Sequence, residues 1–201
     1  MKIGPKYKIA RRLGSPIFEK TQTPRYAVSL GRKEKAGTMP TRPKSEFGKQ
    51  LIEKQKARLS YGLSERQFAN YVKQSLNAPE PTQKLFQSLE TRLDNVLYRA
   101  GLAKTRLQAR QMASHGHATV NGRRVTVPSI IMKEGSVAGV REGSLKSPLF
   151  GGAGERLTTL TAPAWLLVNA SKLEAKVVGK PVYVPNEAVF DLGAVIEFYS
   201  R

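Results

Sequence analysis

The chain has 201 residues, 40% of them hydrophobic, no cysteine and a formal charge of +19. That is enough apolar material for one medium core or two small ones, whereas disulfides and thiolate metal sites are excluded, and no apolar run is long enough to span a membrane. A chain this small and this basic repels itself unless a polyanion neutralises it, so the composition points to nucleic acid.

The charge is unevenly spread: residues 1–91 hold 19 basic and 7 acidic side chains, residues 92–141 hold 9 and 2, and residues 142–201 hold 6 and 6. Met1-Lys2-Ile3-Gly4-Pro5 lacks the apolar core of a secretory signal, and its glycine and proline do not suit an amphipathic transit helix. The expected location is where the chain is made, the cytoplasm, or an organelle if it is organelle-encoded. Residues 1–43 are rich in Gly, Pro, Lys and Arg and are expected to form a basic extended arm, with Lys6, Lys8, Arg11 and Arg12 as phosphate contacts.

Residues 44–91 form the expected helical region. Lys44, Lys49, Lys54, Lys56 and Arg58 coat its first helix, while Phe47, Leu51, Ile52 and Leu59 offer apolar contacts. Gly62 closes that helix, and Ser64 with Gln67 is a capping box for the next, whose Phe68, Tyr71, Val72 and Leu76 share one side. Asn77-Ala78-Pro79-Glu80-Pro81 breaks it. The series Leu85, Phe86, Leu89, Leu93, Val96, Leu97, Ala100 then predicts one long helix ending at Gly101.

Residues 92–155 are expected to be a compact module. Thr105 and Gln108 open a helix with an apolar side of Leu107, Ala109, Met112 and Ala113 and a basic side of Lys104, Arg106 and Arg110. Ala118–Val120 and Arg124–Val127 read as strands around the primed turn Asn121-Gly122, which puts Arg123 and Arg124 at a hairpin tip. Ser136–Arg141 is a third strand. Arg106, Arg110, Arg123 and Arg124 are expected on the surface, replaceable without loss of the fold. Residues 142–163 read as a loop or poor helix. Residues 156–201 are expected to contribute C-terminal strands (Lys176–Val178, Val182–Val184 and Val195–Arg201) packing back on the helical region. The fold class is α+β.

The ordered series Arg92-Leu93-Asp94, Gly101, Arg106, Ala109-Arg110-Gln111, His115-Gly116-His117, Val120-Asn121-Gly122-Arg123-Arg124-Val125 and Pro128-Ser129 resembles the RNA-binding module named after the fourth protein of the small ribosomal subunit. The flanks Gly4–Arg12, Glu53-Lys54-Gln55-Lys56, Tyr61-Gly62 and Val195–Arg201 resemble that ribosomal family itself. Tyr7 and Ala10 stand where zinc-binding members carry cysteines, so the resemblance is to a zinc-free member, with no cofactor. It implies a structural constituent that binds small-subunit rRNA directly, nucleates assembly and helps maintain decoding accuracy, beside neighbouring ribosomal proteins and where mRNA enters. Tyr61, His115 and His117 join the basic residues above as candidate RNA contacts.

The alternative is a free RNA-binding regulator, or an RNA-modifying enzyme of the pseudouridine synthase type, using the same module. Arg92-Leu93-Asp94 is similar to the catalytic aspartate motif of those enzymes. Against this, Asp94 lies inside a patterned helix, Asn95-Val96-Leu97 does not continue the motif, and no length remains for a catalytic domain. An H-x-H pair without cysteine supplies at most two metal ligands. No P-loop, Gly-rich dinucleotide turn or nucleophile elbow is present.

Overall fold

The computed structural model describes residues 3–35, 45–152, 154, 157, 161–185 and 187–200. The chain divides into two compact units, Met1–Leu85 with Tyr183–Arg201, and Phe86–Val182. Among the described residues there are eight named α-helices and five strands, an α+β protein.

In the first unit, α1 (Lys6–Leu13) ends in the left-handed Gly14, and Glu19–Thr21 makes a 3-10 turn before α2 (Pro24–Lys35). Over its described residues, 3–35, the expected extended arm is therefore largely helical. The physical reason is apolar spacing hidden among the cations: Ala10, Leu13, Ile17, Phe18 and Tyr26 are all buried, with Ile9, Ile52 and Leu59 packed against the Leu13, Ile17 and Phe18 cluster. Tyr7 and Tyr26 add a ring pair at 5.2 Å. α3 (Glu46–Ser60) and α4 (Glu65–Leu76) follow the sequence reading, including the Ser64–Gln67 capping box and a left-handed Gly62 between them.

The C-terminus departs from it. Val195–Arg201 reads as a strand because valine, isoleucine and aromatics favour pleated surfaces, yet Leu192–Tyr199 is helix α8, capped by the Asp191 carboxylate accepting from Gly193 N–H at 2.7 Å. Leu192 and Val195 are buried at helical spacing. Phe198 meets Phe47 at 5.4 Å, and the Tyr199 hydroxyl donates to Glu65 at 2.8 Å. Packing on α3 and α4 overrides the local propensity, and Val182–Val184 forms no strand either.

α5 (Pro81–Glu90) carries the chain into the second unit, where α6 (Leu93–Arg99) begins. The expected single helix is thus two. Thr91 and Arg92 leave the helix to pair with a distant segment: Met132 N–H donates to Thr91 O at 2.8 Å, Leu93 N–H to Ile130 O at 2.8 Å and Asp94 N–H to Pro128 O at 3.0 Å. Gly101 is left-handed, Leu102 folds back into the core, and α7 (Arg106–Ser114) starts from Thr105, whose hydroxyl accepts from Gln108 N–H.

Strands β1 (Ala118–Val120) and β2 (Arg123–Val125) pair around Asn121 and Gly122, both at positive φ as a type I′ turn requires. β3 (Val137–Val140) pairs with β1, then β5 (Glu174–Val177) with β3 and β4 (Leu166–Asn169) with β5, giving the antiparallel order β2-β1-β3-β5-β4. The sheet therefore runs past the expected module end at residue 155. Leu93, Val96, Leu97, Ala109, Met112 and Ala113 face Ala118, Ala138, Val140, Leu166, Ala175 and Val177 in one core. In residues 142–163, 3-10 turns form at Glu142–Ser144 and Pro148–Phe150.

Candidate nucleic-acid interface

The basic residues singled out in the sequence fall into three groups according to what holds their cationic ends. Lys8 and Arg12 are on the outside of α1, Lys8 exposed and Arg12 exposed, and Lys49 on α3 pairs with its exposed neighbour Glu46 at 3.1 Å. Lys104 is exposed just before α7, and Arg123 and Arg124 are exposed on β2. Lys6, half-buried, lies 5.5 Å over the Phe18 ring, and Arg11 is half-buried on the same helix. Lys44 lies outside the described residues.

A second group is interior. Lys54 has a side chain 9% exposed, donates to Glu65 Oε1 at 2.7 Å, and places its ammonium 4.5 Å from the Phe198 ring centroid. Tyr61 is 3% exposed and packs edge-on against Phe190. The sequence reading puts both at RNA; instead they help build the first unit, because a cation on the inner face of α3 is tolerable only with a carboxylate and aromatic faces to receive it. Arg58 bonds Gln55 and the Leu63 carbonyl and lies 3.2 Å from Glu65, and Lys56 pairs with Glu53 at 2.7 Å. Burial alone would raise the Glu65 carboxyl, but hydrogen bonds from Lys54 and Tyr199 and the charges of Lys54 and Arg58 bring it below its ordinary value. Tyr199 is held far above the ordinary phenol range by burial and by Glu65.

The third group lies in the second unit, around two buried carboxylates. Asp94, 4% exposed, accepts from Arg92 Nε at 3.0 Å and Nη2 at 2.8 Å, and from Arg110 Nε at 2.9 Å and Nη2 at 2.7 Å. Glu90, 1% exposed, accepts from Arg99 Nε and Nη2 at 2.8 and 2.9 Å and from Asn95 Nδ2 at 2.8 Å. Asn95 Oδ1 in turn accepts from Arg106 Nε at 2.7 Å, and the Arg106 guanidinium rests 4.4 Å from the Tyr98 ring centroid.

Arg106 and Arg110 are thus not freely replaceable surface groups. Removing a partner from a buried carboxylate leaves a charge with too few donors, which costs more than losing a surface ion pair. The same geometry argues against an aspartate nucleophile: both Asp94 oxygens are engaged by guanidinium N–H groups. Sequence reasoning missed Glu90, Asn95, Tyr98 and Arg99, whose partnership depends on the turn between α5 and α6.

His115 and His117 flank Gly116 with rings stacked at 6.3 Å, and His117 Nδ1 lies 2.9 Å from Ser144 Oγ and edge-on to Phe150. His115 is exposed and His117 half-buried. Gly116, at φ +75°, lets the Arg124 guanidinium lie against the turn after α7. Among the described residues no three His, Asp or Glu side chains gather as a metal site, and no helix is long and apolar enough to cross a membrane.

Comparison with known proteins places the chain in a family. Residues 1–91 match the family described as the ribosomal protein S4/S9 N-terminal domain, and residues 91–137 match the S4 domain. The chain is 40% identical over 207 residues to the small ribosomal subunit protein uS4 of Halothermothrix orenii, covering 98% of each. It is 41% identical over 202 residues to that of Roseiflexus castenholzii, covering 99% of this chain and 98% of the relative. With that of Corynebacterium kroppenstedtii it shares 46% identity over 158 residues, 78% of this chain and 79% of the relative. With near-complete coverage at such identity and the two domain matches consecutive along residues 1–137, the chain belongs to the uS4 family of small-ribosomal-subunit proteins.

Proposed function

We propose that this protein is a structural, non-enzymatic constituent of the small ribosomal subunit that binds small-subunit rRNA directly and lies against neighbouring ribosomal proteins in the ribosome. The observation that carries this reading is the full-length identity to proteins named uS4, at 98% coverage of both chains. The chemistry agrees with it. Lysines and arginines on α1, α7 and the β1–β2 hairpin meet phosphates, the folded module fixes their spacing, and the exposed His115 ring offers a face to an unstacked base. Nucleation of assembly, support of decoding accuracy and proximity to incoming mRNA extend the same proposal. Its location is the ribosome of the cytoplasm, or of an organelle.

The test uses residues whose replacement spares the fold. Lys104, Arg123 and Arg124 are exposed, and such substitutions change stability by no more than about 0.5 kcal/mol each. A triple change to glutamine should melt near wild type, bind small-subunit rRNA more weakly, and flatten the plot of log affinity against log salt by roughly 0.9 for each phosphate no longer neutralised. Unchanged affinity and slope would refute this surface as the RNA face. Failure of the wild-type chain to co-sediment with small subunits in high salt would refute the ribosomal role.

A further inference from the structure

The two buried carboxylates of the second unit are placed as anchors. Glu90 and Asp94 are 1% and 4% exposed at their side chains, and Arg92 on Asp94 is as buried at 4%, whereas the other three arginines they hold reach outward: Arg106 is 17%, Arg110 23% and Arg99 36% exposed. In those three contacts one end is in the core and the other is at the solvent boundary. Two carboxylates are shared by four arginines, with Asn95 bridging Glu90 to Arg106 and Tyr98 flooring the Arg106 guanidinium. Stability alone does not account for such an arrangement, since a buried ion pair is commonly no better than well-packed apolar side chains of the same volume. An arginine fixed before binding, however, loses less rotamer freedom when it meets a phosphate.

We propose that Glu90 and Asp94 are positioning residues for RNA recognition: they orient Arg106 and Arg110, and through Glu90 also Arg99, so that these guanidiniums meet the phosphate backbone of a structured RNA already aligned. Arg110 meets Asp94 through both Nε and Nη2, converging on the one oxygen Oδ2, and this sets which edge of the guanidinium faces the carboxylate as well as its position, which a point charge could not do. The proposal rests on the reading that this module binds RNA through α7.

The experiment is a salt titration of binding by the full chain to small-subunit rRNA, with melting measured in parallel and binding read well below each melting temperature. Asp94→Asn and Glu90→Gln each raise the net charge by one. If the carboxylates act only as charges, their removal tightens binding. If they position arginines, affinity falls about tenfold although the chain is more cationic, and the salt slope drops by roughly 0.9 for each phosphate that an arginine no longer reaches. Asp94→Asn combined with Arg110→Gln should bind no more weakly than Arg110→Gln alone, because the aspartate acts through that arginine.

Arg110→Lys gives an independent reading if the aspartate variant does not fold. Lysine keeps the charge but cannot engage Asp94 side-on, so affinity and slope should fall as for Asp94→Asn. Tighter or unchanged binding by folded Asp94→Asn, or wild-type affinity and slope in Arg110→Lys, would overturn the proposal. Wild-type binding by Arg110→Gln would instead remove its premise, that α7 faces RNA, and so overturn it at a different point.

Discussion

Gly116→Ala separates a backbone requirement from a functional one at the turn between α7 and β1. Gly116 has φ +75°, and the turn is closed by Gly116 N–H donating to Ala113 O at 2.9 Å and His117 N–H to Met112 O at 3.0 Å. A side chain in the left-handed region costs roughly 1–2 kcal/mol. The new Cβ would also stand 2.8 Å from Arg124 Cζ, too close to persist. Arg124 is exposed and its guanidinium ends a flexible side chain, so it can move away at little cost. The φ contribution should therefore dominate the loss of stability, and displacement of Arg124 should dominate the loss of binding. Denaturant melts and salt titrations on rRNA of Gly116→Ala, Arg124→Ala and the double variant resolve the two. Stability should fall by about 1–2 kcal/mol with or without Arg124. Binding by either single variant should lose roughly 0.9 of salt slope, and the double variant should lose no more. Wild-type melting of Gly116→Ala would refute the backbone argument. Wild-type binding by it, with weakened binding by Arg124→Ala, would refute the placement of Arg124 against the turn as the relevant one.

Lys54→Met should destabilise the first unit by about 1–2 kcal/mol, through removal of the Glu65 bond and the Phe198 interaction, and leave the salt slope on rRNA unchanged; a shallower slope would return Lys54 to the RNA surface. The Glu65 carboxyl is held below its ordinary value of 4.5 when folded, so its contribution to stability is present above that pH and disappears as pH falls through the lower folded value; Glu65→Gln should flatten the acid limb of stability against pH, and an unaltered limb would count against the Lys54–Glu65–Tyr199 cluster. Val96→Asp puts a carboxylate at a fully buried position facing the sheet and should unfold the second unit, at a cost of more than about 3 kcal/mol. Folded protein from that variant, seen by amide exchange, would refute the assigned core.

What the sequence disclosed depended on how local the determining interactions were. The β1–β2 hairpin was legible because Asn121-Gly122 specifies its own turn, and α7 because Thr105 caps it from one residue away. The division between α5 and α6 was not, because the residues that pull Thr91 and Arg92 out of the helix are Ile130 and Met132, some 40 positions later. α8 reads as a strand for the same reason in reverse. Its β-favouring side chains reveal their helical period only against Phe47, Phe68 and Glu65. The roles of the basic residues were least legible, since a lysine on the inner face of α3 and one on its outer face look alike until the carboxylate partner is known.

That partition of cations bears directly on why the protein needs a polyanion. Up to residue 94 the chain has eight acidic and 20 basic side chains. Five of those acids, Glu46, Glu53, Glu65, Glu90 and Asp94, already hold lysines or arginines, and Glu65, Glu90 and Asp94 each engage more than one. Apart from the exposed Glu46–Lys49 pair, these carboxylates each meet at least one cation that is buried or half-buried, where a charge must be neutralised to exist at all. They are correspondingly scarce at Lys8, Arg12, Lys104, Arg123 and Arg124, where exposure makes neutralisation by an external phosphate possible. Intramolecular pairing thus fixes the scaffold, and the surplus left at the surface sets both the strength and the salt dependence of RNA binding. Adding a carboxylate beside that surplus, as in Thr119→Glu, should therefore weaken RNA binding; its facing neighbours are Arg124, whose opposite charge favours pairing of the strands, and Gly139, where the Glu174 side chain lies and opposes it. Wild-type affinity in that variant, with its melting unchanged, would refute the claim that the uncompensated charge of the hairpin is what the RNA reads.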